Sequence, residues 1–266
     1  MPPVKRLCVN SPQPGHPRVQ LLTYHSISND PGPTSISASV FRAQMDAVSA
    51  SGYCVVRLGE VAEWMTGRVE LPERSLAITF DDGFTDFATE AAPVLAAHGF
   101  SATVFLPTAK IGGFADWPGE QTNPARPLMS WSQVQTLAQQ GIDFGGHSVT
   151  HPKLPTLGAS DLAREVGESH AAIARQLGQV PTSFAPPYGA SNAKVIDEIR
   201  KHFAISCGTR LARVKRTDDP YNLPRIEMHY FRDLTRWRAY LEGRGESYFQ
   251  FRRALRAVRE LATRKA

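Results

Sequence analysis

The sequence predicts an α/β fold in which a mostly parallel sheet closes, or nearly closes, into a barrel within a single domain. Two observations lead to this prediction. Strand-like and helix-like segments alternate after residue 18, which is typical of a parallel sheet covered by helices. In addition, clusters of polar residues follow the ends of predicted strands, where α/β folds gather their functional side chains.

The strand candidates are short apolar runs bounded by turn residues. They lie at residues 19–24, 53–58, 76–80, 101–106, 142–146, 183–185 and 203–207. Residues 1–18 hold five prolines and are predicted to form an irregular lead-in. Residues 107–129 are rich in glycine and proline and are predicted to form a long loop. Within that loop, Trp117 is interpreted as a core residue, with stacking on a sugar ring as the alternative.

The helix candidates show apolar residues at three- and four-residue spacing beside capping residues. The first contains Phe41, Met45 and Val48, with Ser39 as its N-cap and Gly52 as its stop. Others are predicted at residues 86–98, 130–141, 162–177 and 194–202. These elements assign residues 19–232 to one barrel domain and residues 233–266 to a helical tail that packs on the barrel or extends from it.

The composition limits the classes of function. The chain has 266 residues, of which 42% are hydrophobic and 21% are charged, as in ordinary folded soluble proteins. It contains no run of about 18 apolar residues, so no membrane-spanning helix is expected. Lys and Arg exceed Asp and Glu by five, and residues 237–266 alone carry that excess. Residues 1–236 therefore have a net charge of zero, which argues against a nucleic-acid-binding face.

The cysteines suggest a location in the cell. Cys8, Cys54 and Cys207 are odd in number and lack the paired spacing of a zinc or redox motif. They are therefore expected to be reduced thiols. The N-terminus also lacks an apolar signal core. These two features predict a cytoplasmic protein.

Two adjacent carboxylates, Asp81 and Asp82, follow the apolar run at residues 76–80 and precede Gly83. Neighbouring like charges repel each other unless a cation intervenes. A metal ion bound to one carboxylate would let the other stay ionised as a base. The alternative is a solvated turn in which Asp acts as a cap and Gly adopts a positive φ.

Two histidines four residues apart, His147 and His151, follow the strand predicted at residues 142–146. On one side of a helical turn, imidazoles at this spacing can chelate one ion. Two unrelated surface histidines are the alternative. Two histidines and one carboxylate make an open metal site that leaves room for water and substrate. Zn²⁺ is the simplest ion for such a site, and the same ligands accept Co²⁺ or Ni²⁺.

Three sequence motifs in this order resemble those of the polysaccharide deacetylase family. They read DDG at 81–83, HSVTH at 147–151 and FAPPYG at 184–189. This family has the NodB-homology fold and constitutes carbohydrate esterase family four, and the resemblance covers residues 19–230. It implies a distorted (β/α)7-type barrel. It also implies a metal-dependent hydrolase that removes an acyl group, usually acetyl, from an amino sugar.

The resemblance also implies roles for single residues. Asp81 matches the general base of the family. The metal ligands of the family are matched by Asp82, His147 and His151. Tyr188 matches the residue whose backbone N–H helps to hold the oxyanion.

Two positions depart from the family pattern. Ala185 stands where the third motif commonly has Arg, and no late Leu-x-His motif, the family's source of the catalytic acid, is evident after residue 230. One branch, similar to poly-N-acetylglucosamine deacetylases, takes the acid from an early Tyr-His and has a later LPRI. These stand here at 24–25 and 223–226. His25 is therefore the expected acid, and Arg225 is expected to reach Asp81 and keep it ionised. The alternatives are a histidine in a polar loop and a surface ion pair of little energy.

The implied substrate is an N-acetylated glycan or a lipid-linked sugar, and the sequence indicates no oligomeric state. Three other functions stay open. The substrate could be another amide, such as a formamide or an imide. The chain could be a non-catalytic carbohydrate-binding protein on the same fold. A glycosidase would use an Asp pair but would not need the two histidines.

The basic tail allows two interpretations. Tyr248, Phe251 and Leu255 recur at helical spacing between arginines. The preferred interpretation is a terminal helix docked on the barrel with its arginines in solvent. The alternative is an interfacial helix that makes peripheral contact with an anionic membrane, which would suit a lipid-linked substrate.

Overall fold

The computed structural model describes residues 19–118 and 125–263, so the lead-in predicted at 1–18 lies outside the described residues. The centre of the described structure is a parallel sheet of eight short strands. The strands are β1 (Gln20–Tyr24), β2 (Cys54–Val55), β3 (Ser75–Phe80), β4 (Thr103–Leu106), β5 (Asp143–Gly146), β6 (Ser183–Phe184), β7 (Ile205–Ser206) and β8 (Ile226–Glu227).

The strand order is β7-β6-β5-β4-β3-β1-β8, and β2 pairs with β3. Every pairing is parallel. A single parallel bridge between Cys207 and Leu223 joins the segment after β7 to the segment before β8. This bridge brings the two ends of the curled sheet together. The predicted fold class, a single-domain α/β fold of distorted-barrel type, is confirmed.

Helices cover the outside of the sheet. They are α1 (Ala38–Ala50), α2 (Leu58–Met65), α3 (Ala92–His98), α4 (Trp131–Gln139), α5 (Ala159–Leu177), α6 (Ala193–Arg200), α7 (Leu234–Leu241) and α8 (Glu246–Thr263). A π-helical turn at Phe87–Ala91 precedes α3, and 3₁₀ turns lie at Leu154–Thr156, Pro187–Gly189 and Met228–Phe231. Within the described part of the chain, every helix is too short or too polar to cross a lipid bilayer.

Capping residues explain where several helices start and end. Ser130 and Gln133 form a capping box at the start of α4, as the sequence predicts for Ser130. Gly178 ends α5 with a φ of 66°. The N-cap of α1 is Ser37 rather than the predicted Ser39. The side chain of Ser37 accepts a hydrogen bond from a backbone N–H of the first turn, which starts the helix two residues earlier.

The strand predicted at residues 53–58 is wrong over most of its length, because β2 contains two residues and α2 begins at Leu58. The backbone N–H of Arg57, the N-cap of α2, donates to the Glu60 carboxylate at 2.8 Å, which ties the residue before the helix to its first turn. Consecutive valines at 55–56 favour a strand. A helix of eight residues is too short for its apolar spacing to outweigh that signal.

Alternation along the strands decides which residues face the inside of the barrel. In β1, Leu22 packs between the sheet and the helices, whereas Leu21 belongs to the cluster inside the barrel. Every second residue from Leu21 onward faces the inside of the barrel, and this alternation reaches His25, just past the end of β1. In β3, the series that starts at Ala77 ends at Asp81. The same face of the sheet thus delivers both residues to one end of the barrel.

The cysteines correct one expectation. Cys54 is disulfide-bonded, so the prediction of reduced thiols is wrong for this residue, whereas Cys207 is a free and buried thiol. Disulfides persist mainly in oxidising compartments. The cysteines therefore lend no support to a cytoplasmic location.

Candidate active site and metal centre

The acidic pair lies directly after β3, where the backbone reverses. Asp82 and Gly83 have φ angles of 74° and 70°, in the left-handed region that Asp tolerates better than most residues. A Cβ at Gly83 would meet Leu106 Cδ2 at 2.7 Å, so the close contact and the positive φ together favour glycine there. The reversal turns the two carboxylates toward different partners. Asp81 contacts Arg225, whereas Asp82 contacts two histidines.

The two histidines converge on one oxygen of Asp82. His147 Nδ1 donates to the carbonyl of Ala185 at 2.6 Å, which leaves Nε2 facing Asp82 Oδ1 at 3.2 Å. His151 Nε2 lies 3.3 Å from the same oxygen. All three side chains are buried. An imidazole whose Nδ1 is engaged by a carbonyl presents Nε2 as its metal-binding atom.

The histidines do not lie on a helical turn, so this part of the prediction is wrong. Residues 147–151 form a loop, in which Ser148 and His151 have φ angles of 67° and 66°. Ser148 Oγ accepts a hydrogen bond from the N–H of His151 at 3.0 Å. A tight backbone reversal, rather than helical periodicity, brings the imidazoles together.

Glu165 of α5 holds this loop in place. Its carboxylate accepts from the N–H groups of Val149 and Thr150 at 2.8 and 2.9 Å, and from Thr150 Oγ1 at 2.7 Å. Sequence analysis missed Glu165. The available signal was a charged residue on the apolar face of an amphipathic helix, between Leu162 and Val166, which are both buried.

Two aromatic residues, Trp117 and Tyr188, pack against His151 at the edge of the site. The ring of Trp117 stacks on His151 with a centroid distance of 4.1 Å, and the ring of Tyr188 meets His151 edge-on at 4.8 Å. Trp117 is buried, as predicted, although it packs against the site. Tyr188 has a φ of 60°, and its hydroxyl donates to the carbonyl of Pro118 at 3.1 Å.

Asp82, His147 and His151 fit a divalent metal ion. One potential ligand atom from each lies within 4.8 Å of the others. Burial raises the pKa of Asp82, but hydrogen bonds with the two imidazoles outweigh it and hold this pKa well below its ordinary value. Burial lowers the pKa of His151, which favours the neutral imidazole that binds metal. One carboxylate and two imidazoles are a donor set typical of zinc and related ions.

The expected contact between Arg225 and Asp81 is present. Two guanidinium nitrogens donate to the two carboxylate oxygens at 2.6 and 2.7 Å, and both side chains are buried. The pair is therefore not a surface ion pair. Burial raises the pKa of Asp81, yet the charge and hydrogen bonds of Arg225, together with the nearby His25 and His147, lower it by more in sum, so the net pKa lies below its ordinary value. Asp81 is thus held as a carboxylate.

His25 lies beside this pair. Its Nε2 is 3.8 Å from Asp81 Oδ2, and its side chain is 18% exposed. Asp86 fixes the backbone that follows, because its carboxylate accepts from Ser26 Oγ and from the N–H of Ile27. Asp86 was not singled out in the sequence, where it resembles an ordinary residue at the start of a helix.

One cavity of about 440 Å³ unites these groups at the carboxyl ends of the strands. All seven residues predicted for the site line it: His25, Asp81, Asp82, His147, His151, Tyr188 and Arg225. The structure therefore brings together residues that are 200 positions apart in the sequence. A buried carboxylate beside three side chains that could hold a metal ion, with a histidine within reach, can support the hydrolysis of an acyl bond.

Comparisons with known proteins agree with this arrangement. A sequence profile for polysaccharide deacetylase matches residues 68–203, which is slightly more than half of the chain. That segment contains Asp81, Asp82, His147, His151 and Tyr188. His25 and Arg225 lie outside the matched segment, and only the fold brings them to the site.

Relatives of this chain include the protein YxkH of Bacillus subtilis, which is 25% identical over 85% of this chain and 76% of its own length. The poly-β-1,6-N-acetyl-D-glucosamine N-deacetylase of Escherichia coli K12 is 25% identical over 56% of this chain. This chain spans only 23% of that enzyme. The structure of IcaB from Ammonifex degensii superposes with a TM-score of 0.72 and 22% identity, over 86% of this chain and 97% of IcaB, which shows that the fold is shared.

Proposed function

This chain belongs to the polysaccharide deacetylase family, and on that premise we propose that it uses one divalent metal ion to hydrolyse the N-acetyl group of an amino sugar in a glycan. The products would be acetate and a free amine. The observation that carries the proposal is the cavity in which Asp82, His147 and His151 converge beside the ion-paired carboxylate of Asp81.

Asp82, His147 and His151 would hold the metal, with Zn²⁺ as the first choice and Co²⁺ or Ni²⁺ as alternatives. A divalent ion in such a site acts as a Lewis acid on a carbonyl and lowers the pKa of water. The contact from His147 Nδ1 to the Ala185 carbonyl fixes the orientation of this imidazole before any ion binds, a role that hydrogen bonds to the far side of a ligand commonly have.

Asp81 is proposed as the general base that takes a proton from the attacking water. A base must be ionised at the working pH, and Arg225 keeps the pKa of Asp81 below its ordinary value. The two hydrogen bonds from Arg225 also fix the carboxylate plane. They leave the remaining lone pairs of its oxygens as proton acceptors.

His25 is proposed as the general acid that protonates the leaving amine. Its Nε2 lies 3.8 Å from Asp81 Oδ2, so acid and base border the same small space. An amide nitrogen is a poor leaving group unless it receives a proton, and general acid catalysis contributes about 10²–10⁴ in rate.

Tyr188 is proposed to help stabilise the negative oxygen that forms on the acetyl carbon, through its backbone N–H. Its left-handed conformation supports this role, because strained turns often aim backbone groups into a site. One oxyanion donor contributes about 10²–10³ in rate. Tyr188 is 41% exposed, and its ring offers the substrate an apolar surface.

Acetate release tests the proposal. The purified protein is incubated with N-acetylglucosamine oligomers linked β-1,4 or β-1,6, with peptidoglycan fragments, and with formamide and imide substrates. Each reaction is run as purified, after chelation and after adding back Zn²⁺, Co²⁺ or Ni²⁺. We expect acetate from at least one glycan, loss of activity on chelation and recovery with a divalent ion. Acetate release that continues after chelation has removed all metal from the protein would refute the proposal. Cleavage of the formamide or imide but of no glycan would also refute it.

A further inference from the structure

The loop that follows β1, residues 26–36, leads directly from His25 and forms part of the cavity wall. A parallel bridge between Ser26 and Ser35 closes the base of this loop, where the N–H of Ser26 donates to the carbonyl of Thr34 at 2.9 Å. The tip of the loop lines the cavity through Pro31, Gly32, Pro33 and Thr34. Because His25 precedes the bridge by one residue, a displacement of this loop would carry the imidazole with it.

Arg126 holds this loop from a distant part of the chain. Its two terminal guanidinium nitrogens donate to Ser35 Oγ and Thr34 Oγ1, each at 3.2 Å. The guanidinium also lies 4.0 Å from the centre of the Phe84 ring, and the face of an aromatic ring attracts a cation. Arg126 is 6% exposed, so these contacts are shielded from water. Arg126 therefore fastens the 26–36 loop to the turn that carries the acidic pair.

Asp86 holds the other arm of the same loop. Its carboxylate accepts from Ser26 Oγ and from the N–H of Ile27, next to His25. Burial raises the pKa of Asp86 above its ordinary value, although these two hydrogen bonds and the positive charge of Arg126 counteract it. The guanidinium and the carboxylate therefore attract each other, and each is bonded to a different arm of the loop.

The other groups proposed to react are held by contacts outside this loop. Asp81 is fixed by the guanidinium of Arg225, and His147 is fixed by a backbone carbonyl. Arg126 itself does not line the cavity. Loosening of the loop should therefore displace His25 while the carboxylate of Asp81 and the candidate metal ligands stay in place.

We propose that Arg126 is a positioning residue that acts through His25, because it holds the 26–36 loop where the imidazole can reach the leaving amine. This inference rests on the proposed function, in which His25 is the general acid. Misplacement of a reacting group by about 1 Å can cost about 10²-fold in rate. Arg126 thus determines how well the enzyme expels a poor leaving group, without touching the substrate.

Two substrates that differ in their leaving group test this role. Arg126→Gln is compared with the wild type on N-acetylglucosamine oligomers and on 4-nitrophenyl acetate, whose leaving group departs as an anion. We expect kcat to fall about 10–100-fold on the oligomers and less than about threefold on the ester. Ser35→Ala removes one acceptor and keeps the guanidinium, so it should give a smaller loss with the same selectivity. Losses of equal size on the two substrates would overturn the proposal.

The matched control is Arg213→Gln, because Arg213 is also an arginine that is mostly buried against an aromatic ring. Its side chain is 20% exposed, its Nε donates to the hydroxyl of Tyr240 at 2.9 Å, and its guanidinium lies 5.0 Å from the centre of that ring. This variant should melt at a lower temperature and keep the wild-type ratio of amide to ester turnover. A lowered ratio here would show that the ratio follows stability, and the proposal would fail.

A double variant and a crystal structure show whether Arg126 acts through His25. Arg126→Gln combined with His25→Ala should be no slower on the oligomers than His25→Ala alone, and losses that multiply would contradict the proposal. In crystals of Arg126→Gln, His25 Nε2 should leave its place 3.8 Å from Asp81 Oδ2 by about 1 Å or more. An imidazole that has not moved would contradict it too. This measurement needs no substrate, so it decides the proposal even if no glycan releases acetate, which would refute the proposed function instead.

Discussion

Arg225 and Asp81 form a buried ion pair in which each carboxylate oxygen accepts one hydrogen bond from the guanidinium, at 2.6 and 2.7 Å. Arg225 is itself fixed by donating through Nε to the carbonyl of Gly208 at 2.9 Å. A planar guanidinium engages a carboxylate through two bonds, which the point charge of a lysine cannot reproduce. The pair therefore sets both the orientation and the ionisation of Asp81.

Substitution of Arg225 by Lys should move the acid limb of the pH–rate profile to higher pH. Arg225 lowers the pKa of Asp81 against the effect of burial, and the proposed base works only above that pKa. A weaker cation lets the pKa rise, so activity disappears at a higher pH as the solution is acidified. We expect a shift of about one pH unit in kcat/KM, measured on metal-loaded protein. An acid limb at the wild-type pH would separate Arg225 from the ionisation of Asp81.

Substitution of Asp81 by Asn should abolish turnover and leave the metal content near that of the wild type. The amide cannot take a proton from water, and loss of a general base costs about 10²–10⁴ in rate. Metal should remain, because the candidate ligands are Asp82, His147 and His151. Acetate release and elemental analysis check the two statements. Loss of the metal together with activity would assign Asp81 to the metal instead of to the proton transfer.

The sequence predicted which residues line the site better than it predicted the backbone conformation that carries them. Asp81 and His147 were found because each follows an apolar run, and the ends of parallel strands meet at one side of a barrel. The conformation of the His147–His151 loop was predicted wrongly, since positive φ angles at Ser148 and His151 have no signature in residue spacing. Pattern alone gave no sign that the backbone would turn back on itself there.

Long-range contacts explain most of what the sequence did not reveal. β8 has two residues, Ile226 and Glu227, which is too short for any alternation to register. Its pairing with β1 nevertheless brings Glu227 into the cavity. Arg256 reaches the same cavity from a helix whose sequence indicated only basicity and an amphipathic pattern. Only the packing of α8 on the barrel identifies which of its arginines faces the site.

Substitution of Glu165 by Gln should weaken metal binding while the protein stays folded. The carboxylate accepts three hydrogen bonds from the loop between the two histidines proposed as metal ligands. A glutamine can keep its amide oxygen on the two N–H groups and donate its NH2 to Thr150 Oγ1, but it loses the negative charge that strengthens these hydrogen bonds. Loss of such supporting contacts typically lowers metal affinity by about 10–100-fold. Competition with a chromophoric chelator measures the Kd for Zn²⁺.

The control for this prediction is Glu168→Gln, on the same helix but exposed. It should bind Zn²⁺ with the affinity of the wild type. If Glu165→Gln also keeps that affinity within twofold, the loop does not depend on Glu165. The positions of the histidines would then have to be fixed by the backbone reversal alone.

Substitution of His25 by Ala should affect amide substrates far more than an activated ester. The amine of a glycan leaves only when it is protonated, so loss of the acid should lower deacetylation about 10²–10³-fold. The 4-nitrophenolate of 4-nitrophenyl acetate leaves without a proton, and its release should fall less than tenfold. Asp81→Asn should suppress both reactions, because both need an activated water. The metal content should be unchanged, since His25 is not part of the ligand cluster. Equal losses on the ester and the amide would show that His25 supports the geometry of Asp81, 3.8 Å away, rather than delivering a proton.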